Sequence, residues 1–315
     1  MKSLQHHLRQ YLAARRALGT ELQEPGKTLS RFIKFLGRKG AKFITIPLAL
    51  EWSQQSQNVQ RATCARKLTM VRLFARWLSV VEPRHQIPPS RLLNERHRRS
   101  KPHIYSDQEI AQLMAAATNL KSRAGMKGLT LSTLTGLLAA SGLRSGEAAA
   151  LENRDVDLQT GVLVIRESKF GKSRLVPVHK SVITALETYI RERNRIFPVP
   201  CSSAFFVSDR GTALNLGNLR RWFCQISRSC GLRKGSVGKR RDRGPRLQDL
   251  RHTFATMRLV EWYRTGSNIP LQMPKLATYL GHSSVVCTYW YIEAVPELLE
   301  LATKFQLVST PGGRQ

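Results

Sequence analysis

Pro83, Pro88, Pro89 and Pro102 interrupt a stretch that also carries Arg91, Arg96, Arg98, Arg99 and Lys101. Proline removes backbone donors, and dense like charge repels itself, so such a stretch reads as an extended, hydrated connector. It divides the chain in two. The expected organisation is a helical unit over residues 1–85, a basic linker over 86–104, a second unit over 105–306 and a tail over 307–315. A chain of 315 residues has material for two hydrophobic cores of ordinary size.

Before the connector the hydrophobic period is helical. Leu4, Leu8, Tyr11 and Leu12 make one stripe, and Leu29, Phe32, Ile33 and Leu36 make another ahead of Gly40. From Arg61 to Leu78, Leu68, Val71, Ala75 and Leu78 form an apolar face, with Arg61, Arg66, Lys67, Arg72 and Arg76 elsewhere on the helix. After the connector, Ser106-Asp107-Gln108-Glu109 is a helix-start signal. The period then changes after Glu147. Val162 to Glu167 and Leu175 to Val178 are β-rich and flank Ser168-Lys169-Phe170-Gly171-Lys172-Ser173, which predicts a hairpin with a lysine-bearing turn. Ala204-Phe205-Phe206-Val207 is a candidate third strand, and helical patterns resume up to Phe305. The fold class expected is mostly α with a small antiparallel β-sheet.

Lys and Arg number 51 against 21 Asp and Glu, a formal charge of +30. Such an excess opposes compaction, and an anionic partner explains it, nucleic acid first and a membrane surface second. No apolar run approaches the ~18 residues of a membrane span, and the N-terminus lacks the apolar centre of a secretory signal. Cys64, Cys201, Cys224, Cys230 and Cys287 are odd in number and show no C-x-x-C spacing, so neither a zinc site nor a disulfide framework is expected. The expected location is the cytoplasm, on the nucleoid when DNA is bound.

Chemistry-bearing residues cluster in five places. They are Gly142-Leu143-Arg144-Ser145-Gly146-Glu147, Ser168-Lys169-Phe170-Gly171-Lys172, Leu250-Arg251-His252-Thr253-Phe254-Ala255-Thr256, Leu280-Gly281-His282, and Tyr291. Taken singly, each has a structural reading: Arg144 paired with Glu147 at i+3, Lys169 solubilising a turn, His282 at a helix end, Tyr291 in a core. Taken together they supply what phosphoryl transfer onto a phenol needs. An arginine fork grips two phosphate oxygens at once and keeps its charge, and tyrosine offers an oxygen nucleophile.

The order and wording of these pieces resemble the tyrosine recombinase (phage integrase) family over roughly residues 106 to 305. The resemblance implies an all-helical N-terminal core-binding domain that clamps DNA, and a mixed α+β catalytic domain. It implies a site-specific recombinase or integrase of a mobile element that cuts and rejoins double-stranded DNA through a 3′-phosphotyrosyl link. By resemblance Arg144, Arg251 and His282 hold the phosphate, Tyr291 attacks it and Lys169 protonates the leaving 5′ oxygen. The phosphodiester energy stays in the covalent link, so neither metal nor ATP is called for, and no other cofactor is expected. The chain contains no Walker loop. The family works as a homo-tetramer on DNA, with residues 296–302 a candidate docking helix, and an accessory DNA-bending protein is a further candidate partner. Arg66, Arg72, Arg76, Arg98, Arg99, Lys172, Arg240 and Arg241 are the candidate DNA contacts, the last two within the basic stretch from Gly231 to Arg246.

One position departs from the family pattern. The first place of His-x-x-Arg holds Gln248, which can hydrogen-bond but cannot take a proton. His252 is adjacent to Arg251, but one residue along a helix turns about 100°, so it is expected to point elsewhere. Among the tyrosines, spacing from His282 selects Tyr291 over Tyr289, while Tyr279 is expected to be a packing residue. Two other readings remain at this point: a type IB topoisomerase-like enzyme that cuts and reseals one duplex, and a DNA-binding protein with weakened catalysis.

Overall fold

The computed structural model describes residues 3–19, 22–55, 59–93, 101–168, 172–233 and 244–294. Cα packing divides the chain into two units, Met1–Ser100 and Lys101–Gln315. The first contains α1 (Leu4–Ala17), α2 (Gln23–Arg38), α3 (Ile46–Gln54) and α4 (Arg61–Leu78). Ser3 caps α1, and Thr45 caps α3 with Pro47 in its first turn. The stripes read from the sequence meet in one core, where Leu8, Phe32, Phe35, Val71, Phe74 and Leu78 are buried. Each such side chain contributes about 1.5–3 kcal/mol on leaving water. Past α4 the chain stays tied to this unit. Ile44 N donates to His85 Nδ1 (3.0 Å), Ile46 N to Gln86 Oε1 (2.9 Å), and Leu93 packs on the same core.

The second unit is built around α6 (Met126–Ser141). This helix buries Leu131, Leu134, Leu137 and Leu138 and is packed by α5 (Asp107–Thr118), α8 (Lys180–Ile196), α9 (Leu216–Ser229) and α10 (Asp249–Arg264). The start of α5 is the capping box the sequence predicts, with Glu109 N donating to Ser106 Oγ (3.1 Å) and Ser106 N to Glu109 Oε2 (2.8 Å). After the short α7 (Ser145–Ala149) the chain forms β1 (Val156–Asp157), β2 (Val162–Ser168) and β3 (Lys172–Pro177), antiparallel in that order. The predicted hairpin is β2–β3. Finally α10, α11 (Ile269–Leu280) and α12 (Val286–Ala294) enclose a smaller core of Phe254, Leu259, Met273, Leu276, Leu280 and Tyr291.

One expected strand is corrected. Ala204 and Val207 make only isolated bridges, to Glu152 and Ala213, and the third strand of the sheet is β1. Phe205 and Phe206 pack instead against the Tyr189 ring. A short apolar run signals burial, which a core loop satisfies as well as a ladder does.

Among the described residues no helix is long and apolar enough to cross a membrane, and all five cysteines are free thiols.

Tyr189 shows how this loop is held. Its hydroxyl donates to Thr130 Oγ1 (3.1 Å) and accepts from Val207 N (3.0 Å), while Thr130 donates to Val207 O (2.9 Å). Tyr189→Phe strands a buried backbone N–H, so urea unfolding should show a loss of about 1–3 kcal/mol.

Candidate active site

Two helix ends make the floor of the site. At the end of α6 the chain turns through Gly142 at φ +62°, and a Cβ there would collide with the Phe254 ring. That turn presents Arg144 as the N-cap of α7, with Arg144 N donating to Glu147 Oε2 at 3.0 Å. At the end of α11, Gly281 (φ +67°) closes a Schellman cap: its N–H reaches Thr278 O and that of His282 reaches Ala277 O, both at 2.9 Å. A Cβ on Gly281 would lie 2.7 Å from Arg174 Nη1, so both backbone conformation and close approach require glycine.

The carbonyls left over at these ends are taken by arginines. Tyr279 O accepts from Arg174 Nε (2.8 Å), Leu280 O from Arg251 Nη2 (2.6 Å) and Gly281 O from Arg144 Nη2 (3.0 Å). Arg251 Nη1 also donates to Gly142 O (2.9 Å), at the end of α6. Helix C-termini carry orphan carbonyls and partial negative charge, which suits guanidinium groups. Three cations from α10, β3 and the start of α7 are thus drawn to one turn.

Glu147 is the carboxylate between two of them. It accepts from Arg144 Nη1 (2.6 Å) and Arg174 Nη2 (2.8 Å) and is almost wholly buried. Burial alone would raise its pKa. The bonds from Arg174 and from the Arg144 backbone, with the charge of Arg174, outweigh that and hold the carboxyl at about 2. The bonds described for Arg251 go instead to neutral groups, and this residue is only 3% exposed. Burial, then the Arg144 charge, bring its pKa down to about 10, which leaves it a cation at neutral pH. Three guanidiniums against one carboxylate make a site that attracts an anion.

Tyr291, 3% exposed, lies against this site, its hydroxyl within hydrogen-bonding reach of the Arg251 guanidinium. The His282 ring stacks on it (centroids 6.0 Å, interplanar 22°), and the His252 ring packs on it at 5.4 Å and 58°. His282 Nδ1 is 2.7 Å from Thr288 Oγ1. Burial, then the charges of Arg251, Arg144 and Arg174, lower the His282 pKa to about 4, so the imidazole is neutral near pH 7.

Arg144, Arg251, His282 and Tyr291 therefore come together. Gln248 is half-buried, one residue before α10. Lys169, Arg98, Arg99, Arg240 and Arg241 lie outside the described residues, as do the side chain of Lys172 and residues 296–302. On α4, Arg66 and Arg76 are exposed, and Arg72, beside the buried stripe of Leu68, Val71, Ala75 and Leu78, is half-buried, with Arg66 3.6 Å from Glu24. Arg246, the last residue of the basic stretch from Gly231, pairs with the buried Asp249 at 2.7 Å. His252 does not point away from the site. Tyr291 arrives from another helix, α12, and meets two successive residues of α10. Tyr279 stacks on Phe254, and Tyr289 is 43% exposed.

Sequence reasoning missed Arg174 and Thr288. Arg174 turns a charge inward while its neighbour Leu175 faces solvent, an inverted alternation that only the known strand faces make visible. Thr288 sits six residues from His282, and nothing local marks the pairing.

The model of the phage integrase family matches residues 104–297. A Sinorhizobium fredii protein named as an integrase/recombinase, y4rB, is 40% identical over 308 residues, covering 96% of this chain and 97% of its own length. The tyrosine recombinase XerC of Chlorobaculum parvum is 27% identical over 252 residues, covering 75% of this chain and 70% of the relative. Among solved structures, the Tn1549 transposon integrase in complex with transposon right-end DNA superimposes with a TM-score of 0.67 at 14% identity, covering 98% of this chain and all of that one.

The Glu147 pairing has a pH signature. Its depressed pKa contributes stability that is present above the ordinary value of 4.5 and is lost as pH falls toward 2. Glu147→Gln should cost on the order of 2 kcal/mol at pH 7. Its urea-measured stability should then depend less steeply on pH than the wild type's across that acid window.

Proposed function

Since this chain belongs to the phage integrase family, we propose that it is a site-specific DNA recombinase that cuts and rejoins duplex DNA by way of Tyr291. The observation that carries this reading is Tyr291 itself, buried beside Arg251 and faced by His282, where the arginines leave positive charge for an anion.

The scissile phosphate is bound by Arg251 and Arg144, whose forked donors match its non-bridging oxygens, with His282 as a neutral donor beside them. The Tyr291 hydroxyl gives its proton to water as its oxygen attacks phosphorus, and the bond to the 5′ oxygen breaks, leaving a 3′-phosphotyrosyl link and a free 5′-hydroxyl. Lys169 gives its proton to that leaving oxygen. Rejoining reverses these steps with a 5′-hydroxyl from a second duplex. Guanidinium groups stabilise the transition-state charge, and the ester energy is retained in the adduct, so the reaction needs neither metal nor ATP. Gln248 can hold an oxygen but cannot accept the phenol proton, which lowers the rate by about 10²–10⁴-fold relative to a base at that place.

Residues 1–85 form the helical DNA clamp, 86–104 the basic linker and 105–306 the catalytic unit. Arg66, Arg72 and Arg76 on α4, with Arg98, Arg99, Lys172, Arg240 and Arg241, contact phosphates. The protein acts in the cytoplasm as a homo-tetramer on its DNA sites.

Two measurements test this. Denaturant-resistant capture of protein-linked DNA from cells should give adducts at one sequence with the wild type and none with Tyr291→Phe, while DNA binding persists. An undiminished adduct in the variant moves the nucleophile elsewhere. For the clamp, replacing Arg66, Arg72 and Arg76 by alanine together should reduce the slope of log K against log salt by roughly 3, near 0.9 per lost phosphate contact. An unchanged slope removes α4 from the interface.

A further inference from the structure

We propose that Thr288 is a positioning residue for strand cutting: its hydroxyl donates to His282 Nδ1, leaving the proton on Nε2 for the phosphate, and so ties that donor to the seating of the helix that carries Tyr291. The inference rests on the recombinase reading and adds to it a residue that the sequence motifs do not mark.

Thr288 is fully buried, with its hydroxyl oxygen 2.7 Å from His282 Nδ1. It stands on α12 three residues before Tyr291, so one helical turn carries both the nucleophile and the contact that holds the imidazole. A neutral imidazole has one donor and one acceptor nitrogen, and the partner of one decides the role of the other. A non-bridging phosphate oxygen only accepts. If Nδ1 carried the proton, Nε2 would present a lone pair to the anion and repel it. A hydroxyl can donate to Nδ1, and that arrangement makes Nε2 the donor.

The electrostatics make this choice matter. His282 is faced by Arg251 and His252 of α10, Arg144 at the start of α7, Arg174 of β3 and the Tyr291 phenol of α12. Positive neighbours and burial keep it neutral at working pH. It therefore serves an anion through the placement of one proton and not through charge. Its backbone is fixed independently by the Schellman cap of α11, which leaves ring orientation and tautomer as what remains to be set. α12 sets both, with Thr288 at the Nδ1 edge and Tyr291 on the ring face at 6.0 Å. A helix that lifted away would take both contacts with it, so the donor set is complete only when the nucleophile is in place.

The first test needs no DNA. In the full chain labelled with ¹⁵N-histidine, two-bond ¹H–¹⁵N spectra should show His282 with a bare Nδ1 and a protonated Nε2. Thr288→Val should convert this into a mixture of tautomers. A wild-type His282 protonated on Nδ1, or a spectrum indifferent to Thr288→Val, overturns the proposal. The second test uses a nicked duplex carrying the site recovered by adduct capture. Thr288→Val should bind it normally and form the Tyr291 adduct about 10- to 100-fold more slowly, the range known for removing the orienting bond of a metal-bound histidine. Thr288→Ser, which keeps the hydroxyl, should restore the rate. Equal losses in Val and Ser variants, or none in Val, reduce Thr288 to packing. A wild type that shows the expected tautomer and forms no adduct sinks the recombinase reading and with it the catalytic part of this proposal.

Discussion

Three successive carbonyls at the end of α11, those of Tyr279, Leu280 and Gly281, each accept from a different arginine. The site depends on this arrangement. A helix C-terminus must find donors for its last carbonyls, and here they are guanidiniums brought from β3, α10 and the start of α7. Each arginine is thereby fixed at one edge of its fork. Gly281 makes the convergence possible, because only a residue without a Cβ lets the Arg174 guanidinium come so close to the turn. The same turn sends His282 toward Tyr291.

Holding three cations together has an electrostatic cost, and the fold meets only part of it. Glu147 pairs with both Arg144 and Arg174 so firmly that its carboxyl is held near the bottom of the carboxylate range, and it offsets only one of their two charges. Arg251 is satisfied by carbonyls, which solvate its charge without cancelling it. The residual positive potential also keeps His282 from charging. An anion entering the site would complete the balance, so its attraction for an anion and the unusual ionisation of its side chains have one cause.

Much of this was legible in the residues. The α4 stripe, the Ser106–Glu109 capping box and the β2–β3 hairpin follow from local period and capping chemistry. Arg144, Arg251, His282 and Tyr291 stood out through motif context, and the family match agrees with that resemblance. Other features were not legible. Arg174 reaches Glu147 across 27 positions, and Thr288 meets His282 only because α12 folds back beside α11. His252 lies one residue, about 100°, around α10 from Arg251, yet faces Tyr291 because a second helix crosses there. Ala204–Val207 has a strand's composition and a core loop's role.

By itself the sequence determined the two-part plan, the mostly helical class with one small sheet, the basic character and the family to which the chain belongs. These depend on neighbouring residues and on composition, so they survive without any knowledge of long-range contacts. The tertiary structure decided which carbonyls hold the arginines, which carboxylate offsets them, and which hydroxyl reaches His282. Most of those pairings join segments far apart in the chain, and they arise when buried polar groups must find partners in the packed interior.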